Sequence, residues 1–389
     1  MSGGLSALGI FLASRYCGPG VFSKFSIILA LLGVTADLLD FGSCSQVTRD
    51  LAAKRIQGKH FLEALLSKVF LVCVIGSLFE IFFLFVRIKS MPFLAFIFLY
   101  PVLWLMTNYV QGFLLVHEKY LLSVMLMIAE RSSWLLIIFM KKLNFSSEES
   151  FVYPILIGLF FHVTIGCILI SSSISKVNLN VFSGTIARFR KSRNFGIPSL
   201  LTDLSILDVS LVSFFIGVVS SASYVLGQRF RNPLSLGFMI FALRLRNSLA
   251  VGDYQEFRQV VKEEFHLVIL NIVGVCFFAL LVFFQGSKLF VSEYRNVNTV
   301  VSICFLNSIF VGCSYVFVSI LNSTGNEKVV SIFYSIGIPC QLTLIAFGAF
   351  IYSVQGAAIF LLFSNLVFSI CLSILCRPYL MKSLSRPSI

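Results

Sequence analysis

The sequence predicts an all-α, polytopic membrane protein of about twelve transmembrane helices in two six-helix bundles, and three observations carry that prediction. The first is composition: 58% of the 389 residues are apolar and 12% are charged, against roughly 25% charged in a soluble domain, and the mean hydropathy is +0.95. No single core can absorb that much apolar surface, which excludes a water-soluble enzyme; a disordered chain would need low hydrophobicity instead. The second is the recurrence down the chain of apolar runs near the roughly 20 residues that a bilayer requires. The third is where the cations fall. The 30 Lys+Arg outnumber the 17 Asp+Glu for a net charge of +13, but they gather in short gaps between apolar runs. That placement is the positive-inside bias of cytoplasmic loops, and no nucleic-acid partner follows from it.

Taken in order, the first span ends at residues 13–15 and the second covers 21–44. The next four are 61–85, 91–115, 121–140 and 151–173. The second half reads 195–219, 224–244, 265–284, 299–322, 329–352 and 355–376. Assigning alternate gaps to two sides places 18 cations on one side and 8 on the other, with Lys68, Arg131, Arg229 and Arg231 inside spans. The richer side is cytoplasmic by this rule and includes both termini. The opening run, residues 1–12, is short for a full span and lacks a basic leader, so it reads as a first helix whose opening turns are missing rather than as a signal peptide. Arg15-Tyr16-Cys17-Gly18-Pro19-Gly20 reads as a tight outer loop after it.

Matching marks suggest an internal repeat. Gly58-Lys59-His60 after the second span has a counterpart in Gly252-Asp253-Tyr254 after the eighth, and Glu118-Lys119 after the fourth has one in Glu327-Lys328 after the tenth. Each half enters from the same side, so the repeat is parallel, as in transporters with two rocking bundles. The expected domains are 1–173, a basic cytoplasmic linker 174–194, a second bundle 195–376 and a cytoplasmic tail 377–389. A cleft lined by the first, second, seventh and eighth spans is expected between the bundles. The ten Cys contain no C-x-x-C pair and the four His are scattered, so both read as ordinary buried side chains with no metal or cofactor implied.

Polar and charged groups inside spans are costly and face a protein interior or a wet cavity. The eighth span is richest. Tyr224, Gln228, Arg229, Arg231, Asn232 and Ser235 share an arc of about 160° at 100° per residue. Two guanidiniums on one helix suit a pyrophosphate, because each offers a planar fork of donors to phosphate oxygens; the alternative is an arginine that snorkels outward and only anchors the helix. Tyr224, Gln228, Arg229, Arg231 and Asn232 are therefore the candidate substrate-binding set. Candidates for ion coupling or gating are Asp37, Asp40, Arg49, Glu130, Arg131, Asp203 and Asp208, since buried carboxylates can take up protons or sodium. For Asp40 the competing reading is a helix-end turn with Phe41-Gly42. For Glu130 and Arg131, sequence neighbours that point about 100° apart, it is a bond from each to a different helix. Lys68 and Glu80 are expected to snorkel.

The segment 12–55 is the most specific. Leu12-Ala13-Ser14-Arg15-Tyr16-Cys17-Gly18-Pro19-Gly20-Val21-Phe22 resembles the "LARxLGPxxFG" opening of bacterial polysaccharide flippases, and Asp40-Phe41-Gly42 followed by Arg49 resembles that family's "DxG…R" second-helix ending. Tyr294-Arg295-Asn296-Val297 and Leu321-Asn322-Ser323-Thr324-Gly325-Asn326-Glu327-Lys328 are similar to its tenth-helix region. The chain departs from the pattern at Ser23, where the family usually keeps Gly after the aromatic residue. The resemblance is to O-antigen or capsule repeat-unit flippases of the multidrug/oligosaccharidyl-lipid/polysaccharide exporter superfamily. It implies a substrate, a polyprenyl-pyrophosphate-linked oligosaccharide moved from the cytoplasmic to the outer leaflet of a bacterial plasma membrane. It further implies H+ or Na+ as coupling ion, membrane lipids as surroundings, and a polysaccharide polymerase and chain-length regulator as neighbours. The runner-up is a multidrug/cation antiporter of the same superfamily, whose site would favour acidic and aromatic lining. A membrane-embedded polymerase or glycosyltransferase is disfavoured, because the gaps between spans offer no loop large enough for a catalytic site and no D-x-D or nucleophile elbow.

Overall fold

A computed structural model describes residues 2–52, 58–85, 91–117, 119–171, 204–251, 254–291 and 293–384. The linker 174–194, Asp203 and Glu118 lie outside the described residues, as do the side chains of Arg49, Glu80 and Asn232. Every regular element described is helical. In chain order they are α1 (Ser2–Asp40), α2 (Ser43–Ala52), α3 (Gly58–Phe85), α4 (Met91–Val116), α5 (Tyr120–Ser132), α6 (Leu136–Lys142) and α7 (Ser147–Ser171). There follow α8 (Asp208–Ile216), α9 (Ala222–Leu234), α10 (Leu236–Val251), α11 (Tyr254–Leu289), α12 (Val297–Ser323) and α13 (Glu327–Leu384). Among the described residues, seven helices are long and apolar enough to cross a membrane. Two of them, α1 and α13, each contain a break that makes two spans; with α3, α8 and the α9–α10 pair this is the twelve-span all-α arrangement that the hydropathy predicts.

The breaks have local causes. The expected outer loop at 15–20 contracts to one non-helical residue, Gly18, at φ 77° and ψ 163°. Only glycine adopts that conformation without strain, and Pro19 behind it is pre-set for a first helical turn. The eighth span, expected as one helix over 224–244, is interrupted at Ser235 between α9 and α10. Pro233 removes a backbone donor and crowds the carbonyl one turn back, which weakens the helix there. The fifth span is likewise divided, by a 3-10 turn at Ser133–Leu135 between α5 and α6. Ser132 Oγ donates to Ile128 O at 2.7 Å and Ser133 Oγ to Glu130 O at 2.7 Å, back-bonds that compete with the α-helical ladder. The ninth span starts earlier than the expected 265, at Tyr254. Its added turns carry Arg258, Lys262 and Glu263 and are held by a Gln259–Glu263 hydrogen bond of 2.7 Å, so they extend as a polar helix beyond the apolar run.

The chain divides into two compact units, 1–206 and 207–389. In the first, α4 and α7 form the centre, with α1, α3 and α5 packed on them. One end of this unit is a core of Val47, Phe61, Leu65, Tyr109, Phe113 and Leu126 with their neighbours. In the second, α12 is central and is flanked by α9, α10, α11 and α13. The central helix buries Val300, Val301, Cys304 and Phe305, whereas Leu270, Phe277 and Phe284 on the flanking α11 are exposed; such a face of large apolar side chains is suited to lipid.

Candidate functional site

In the second unit, α8 ends at Gly217, where φ is 86°, and the turn over 217–221 returns the chain as α9. Ser213 and Ser221 share a 2.7 Å hydrogen bond across this turn. The return brings Tyr224 of α9 within hydrogen-bond reach of Asp208 on α8. Asp208 on α8 and Arg231 on α9 each lie roughly 13–15 Å from the turn at the helical rise. That depth is close to the middle of a hydrocarbon core about 30 Å thick.

Asp208 is 1% exposed. One carboxylate oxygen accepts the Val209 amide at 2.6 Å, and the other accepts the Tyr224 hydroxyl at 2.7 Å. Arg231 is the cation that acts most strongly on this carboxylate, with Arg229 acting more weakly. Tyr224, Gln228 and Arg231 are buried and Arg229 is half-buried, so neither arginine heads a fully exposed helix face. Three of the five expected substrate-binding residues, Tyr224, Arg229 and Arg231, thus act on one carboxylate, and Asp208, grouped from sequence with the coupling candidates, belongs to the same cluster. Val225, Leu226 and Phe230 of α9 are buried as well. The reason is packing on α12: Phe230 meets Phe305 edge-on at 5.3 Å between ring centroids.

Gly227 permits that approach. A Cβ there would lie 2.5 Å from Cys304 Cβ and 2.8 Å from its Sγ. We therefore expect Gly227→Val to force α9 from α12 and to cost about 1–3 kcal/mol, read as a lower melting temperature of the detergent-solubilised protein relative to wild type. The Gly227–Cys304, Phe230–Phe305 and Phe238–Gly312 contacts fix the register of α9 and α10 on α12. Asn307 then falls at the level of Arg231 to Leu234. It is 0% exposed, and among the described residues both its Oδ1 and Nδ2 lack hydrogen-bond partners, as do Gln228 Nε2 and Arg231 Nε. Unmet buried polar groups are costly, and here two side chains of α9 and one of α12 carry them. Sequence reasoning missed Asn307; its signal was an amide inside an apolar run.

In the first unit, Asp40 closes α1 and opens α2. Its carboxylate accepts the Cys44 amide at 3.0 Å and the Tyr109 hydroxyl at 3.0 Å, while Phe41 and Gly42 take φ of 46° and 70°. This is the geometry of the helix-end turn. Asp37 is half-buried one turn earlier, and its carbonyl accepts the Phe41 amide at 2.8 Å. Lys68 does not snorkel. It is 2% exposed and its Nζ donates to the carbonyls of Leu39 and Asp40 at 3.0 and 3.1 Å. Those C-terminal carbonyls attract a cation, which outweighs an outward route for the stem. Glu130 reaches another helix as expected, its Oε2 lying 2.7 Å from His162 Nδ1. Arg131 stays with its neighbour instead, its Nε 3.6 Å from Glu130 Oε1.

No protein-family model matches the sequence, and no curated protein matches it. Solved structures do match in fold. The chain is similar over 100% of its length, and 96% of the other chain, to the inward-facing conformation of a multidrug resistance MATE family transporter of the MOP superfamily, at 13% identity and a TM-score of 0.65. A MOP superfamily transporter from Pyrococcus furiosus, described by the reverse polarity of its binding pocket, matches at 12% identity and a TM-score of 0.64, covering 99% and 96% of the two chains. A mutant of the Vibrio cholerae MATE transporter VcmN matches at 15% identity and a TM-score of 0.60, covering 98% of each chain. At these identities the likeness is one of fold.

Proposed function

We propose that this chain is a multi-pass membrane transporter working by ion-coupled alternating access, and that its cargo is anionic. The cargo class is an oligosaccharide on a polyprenyl pyrophosphate, an O-antigen or capsule repeat unit, carried from the cytoplasmic to the outer leaflet of a bacterial plasma membrane and passed there to a polymerase. The observation that carries the reading is a pair of guanidiniums on one helix, Arg231 buried and Arg229 half-buried, both acting on the buried Asp208. A pyrophosphate entering a low-dielectric interior needs fixed donors in place of its water, and the guanidinium fork supplies two at a time. The buried Gln228 Nε2 and Asn307 Nδ2, without hydrogen-bond partners among the described residues, add neutral donors on α9 and α12. The fold is that of known transporters, and one of these is itself described by a pocket of reverse polarity.

A multidrug/cation antiporter is the second reading, favoured by the buried Asp208–Tyr224 pair, an acidic and aromatic combination that suits an organic cation. The two separate by complementation. Expression in a flippase-null strain should restore surface polysaccharide, whereas expression in a drug-hypersensitive strain should leave its susceptibility unchanged. The reverse pattern would return the cation reading.

A further inference from the structure

Outside the arginine cluster, the first unit holds a buried acid–imidazole pair at a structural break. Glu130 is the third residue from the end of α5 and is 6% exposed; His162 on α7 is 0% exposed. His162 Nδ1 lies 2.7 Å from Glu130 Oε2, and His162 Nε2 is buried with no hydrogen-bond partner among the described residues. An ionised Glu130 can only accept, so Nδ1 carries the ring hydrogen and donates it. In the neutral ring, Nε2 is then a bare lone pair. A proton added there makes an imidazolium beside a carboxylate. Imidazole is the side chain that ordinarily changes charge between about pH 5 and 8.

The surroundings leave the pair largely to itself. Arg131 contacts the other carboxylate oxygen from α5, with its side chain 37% exposed. The other helices packed on α7 bring ionisable groups with different partners. Tyr109 on α4 bonds Asp40, and Lys24 on α1 pairs with Glu148 at 3.0 Å. Tyr100 on α4, Arg15, Tyr16 and Asp37 on α1, and Lys141 and Lys142 on α6 make no hydrogen bond or ion pair with Glu130 or His162 among the described residues. Immediately beyond the pair the helix gives way to the 3-10 turn Ser133–Leu135. There Ser133 Oγ bonds the Glu130 carbonyl, and Gly158 of α7 packs against that same carbonyl. A 3-10 stretch inside a helix is a recognised hinge element.

We infer that the Glu130–His162 pair is a proton-binding site seated on the hinge between α5 and α6. Loading one proton on His162 Nε2 changes the charge across the α5–α7 contact, and the 3-10 turn transmits that change to α6. This rests on the transporter reading only for its purpose, exchange of a proton for cargo; proton binding itself does not depend on the cargo.

The chain has two tryptophans, and Trp134 lies in that turn, so Trp104→Phe leaves a reporter at the hinge. In full-length protein reconstituted in lipid nanodiscs, Trp134 fluorescence should titrate in one step with pH. The step should be absent in Trp104→Phe/His162→Gln and displaced, but present, in Trp104→Phe/Glu130→Asp, which keeps a carboxylate and guards against simple misfolding. Replacing choline chloride by sodium chloride at fixed pH should leave the signal unchanged. A step that persists without His162, no step in the parent, or a sodium-dependent step would each overturn the inference. In cells, export should depend on external pH in wild type and lose that dependence in His162→Gln; equal dependence in both would also overturn it. If arginine variants exported normally while the Trp134 step held, the cargo reading would fail and the proton site would stand.

Discussion

Surface polysaccharide per membrane-inserted transporter should fall to background in Arg231→Ala, with Arg229→Ala close behind. Arg231 is the more buried of the two and the nearer in effect to Asp208, so its loss removes the better-shielded cation. Lysine discriminates between roles. A residue that only anchors the helix by reaching outward is replaced well by Lys, whose stem snorkels equally. A residue that grips phosphate oxygens through a planar fork is not, because an ammonium is a point donor. Arg231→Lys should therefore recover only a minor part of export, and the measurement is polysaccharide per inserted transporter in a flippase-null strain. Full recovery by Lys would reassign Arg231 to anchoring.

Asp208→Ala should produce the largest loss of stability, about 1–3 kcal/mol, since it leaves the buried Val209 amide unpaired and removes the carboxylate that acts on the buried Arg231 charge. It also strips the Tyr224 hydroxyl of its acceptor. Asp208→Asn keeps an acceptor for that hydroxyl and should cost less, so the order in thermal unfolding is wild type, Asn, then Ala. A double variant Asp208→Ala/Arg231→Met should be more stable than Asp208→Ala alone, because it removes the stranded cation together with its partner. Additive losses in the double variant would mean that the two charges are not coupled.

Much of the fold was legible because membrane spans announce themselves one at a time. A bilayer demands a long apolar run from each helix independently of its neighbours, so α4 and α12 could be located within a few residues. The interruptions were harder. Pro233 and the serines at 132–133 break helices through one-residue backbone effects inside runs that still read as continuous spans. The site was legible as a helix face but not as a cluster. Periodicity set Tyr224, Gln228 and Arg231 on one arc, yet only the turn at Gly217 brings Asp208 to Tyr224. His162 and Asn307 lie in other spans, 32 residues from Glu130 in the first case, and pairing across helices leaves no trace in local spacing. Lys68 was misread for a related reason. Its acceptors are backbone carbonyls at the end of another helix, which any sequence would supply.

The anionic-cargo account is tested most directly by purified wild-type protein in sealed liposomes whose outer leaflet carries a fluorescent polyprenyl-pyrophosphate oligosaccharide. An imposed pH gradient supplies the drive, and protection of the signal from a membrane-impermeant quencher reports translocation. The account predicts gradient-dependent translocation of the pyrophosphate-linked lipid, none in Arg231→Ala, and no uptake of a permanently charged organic cation under the same gradient. Uptake of the organic cation without movement of the lipid would contradict it.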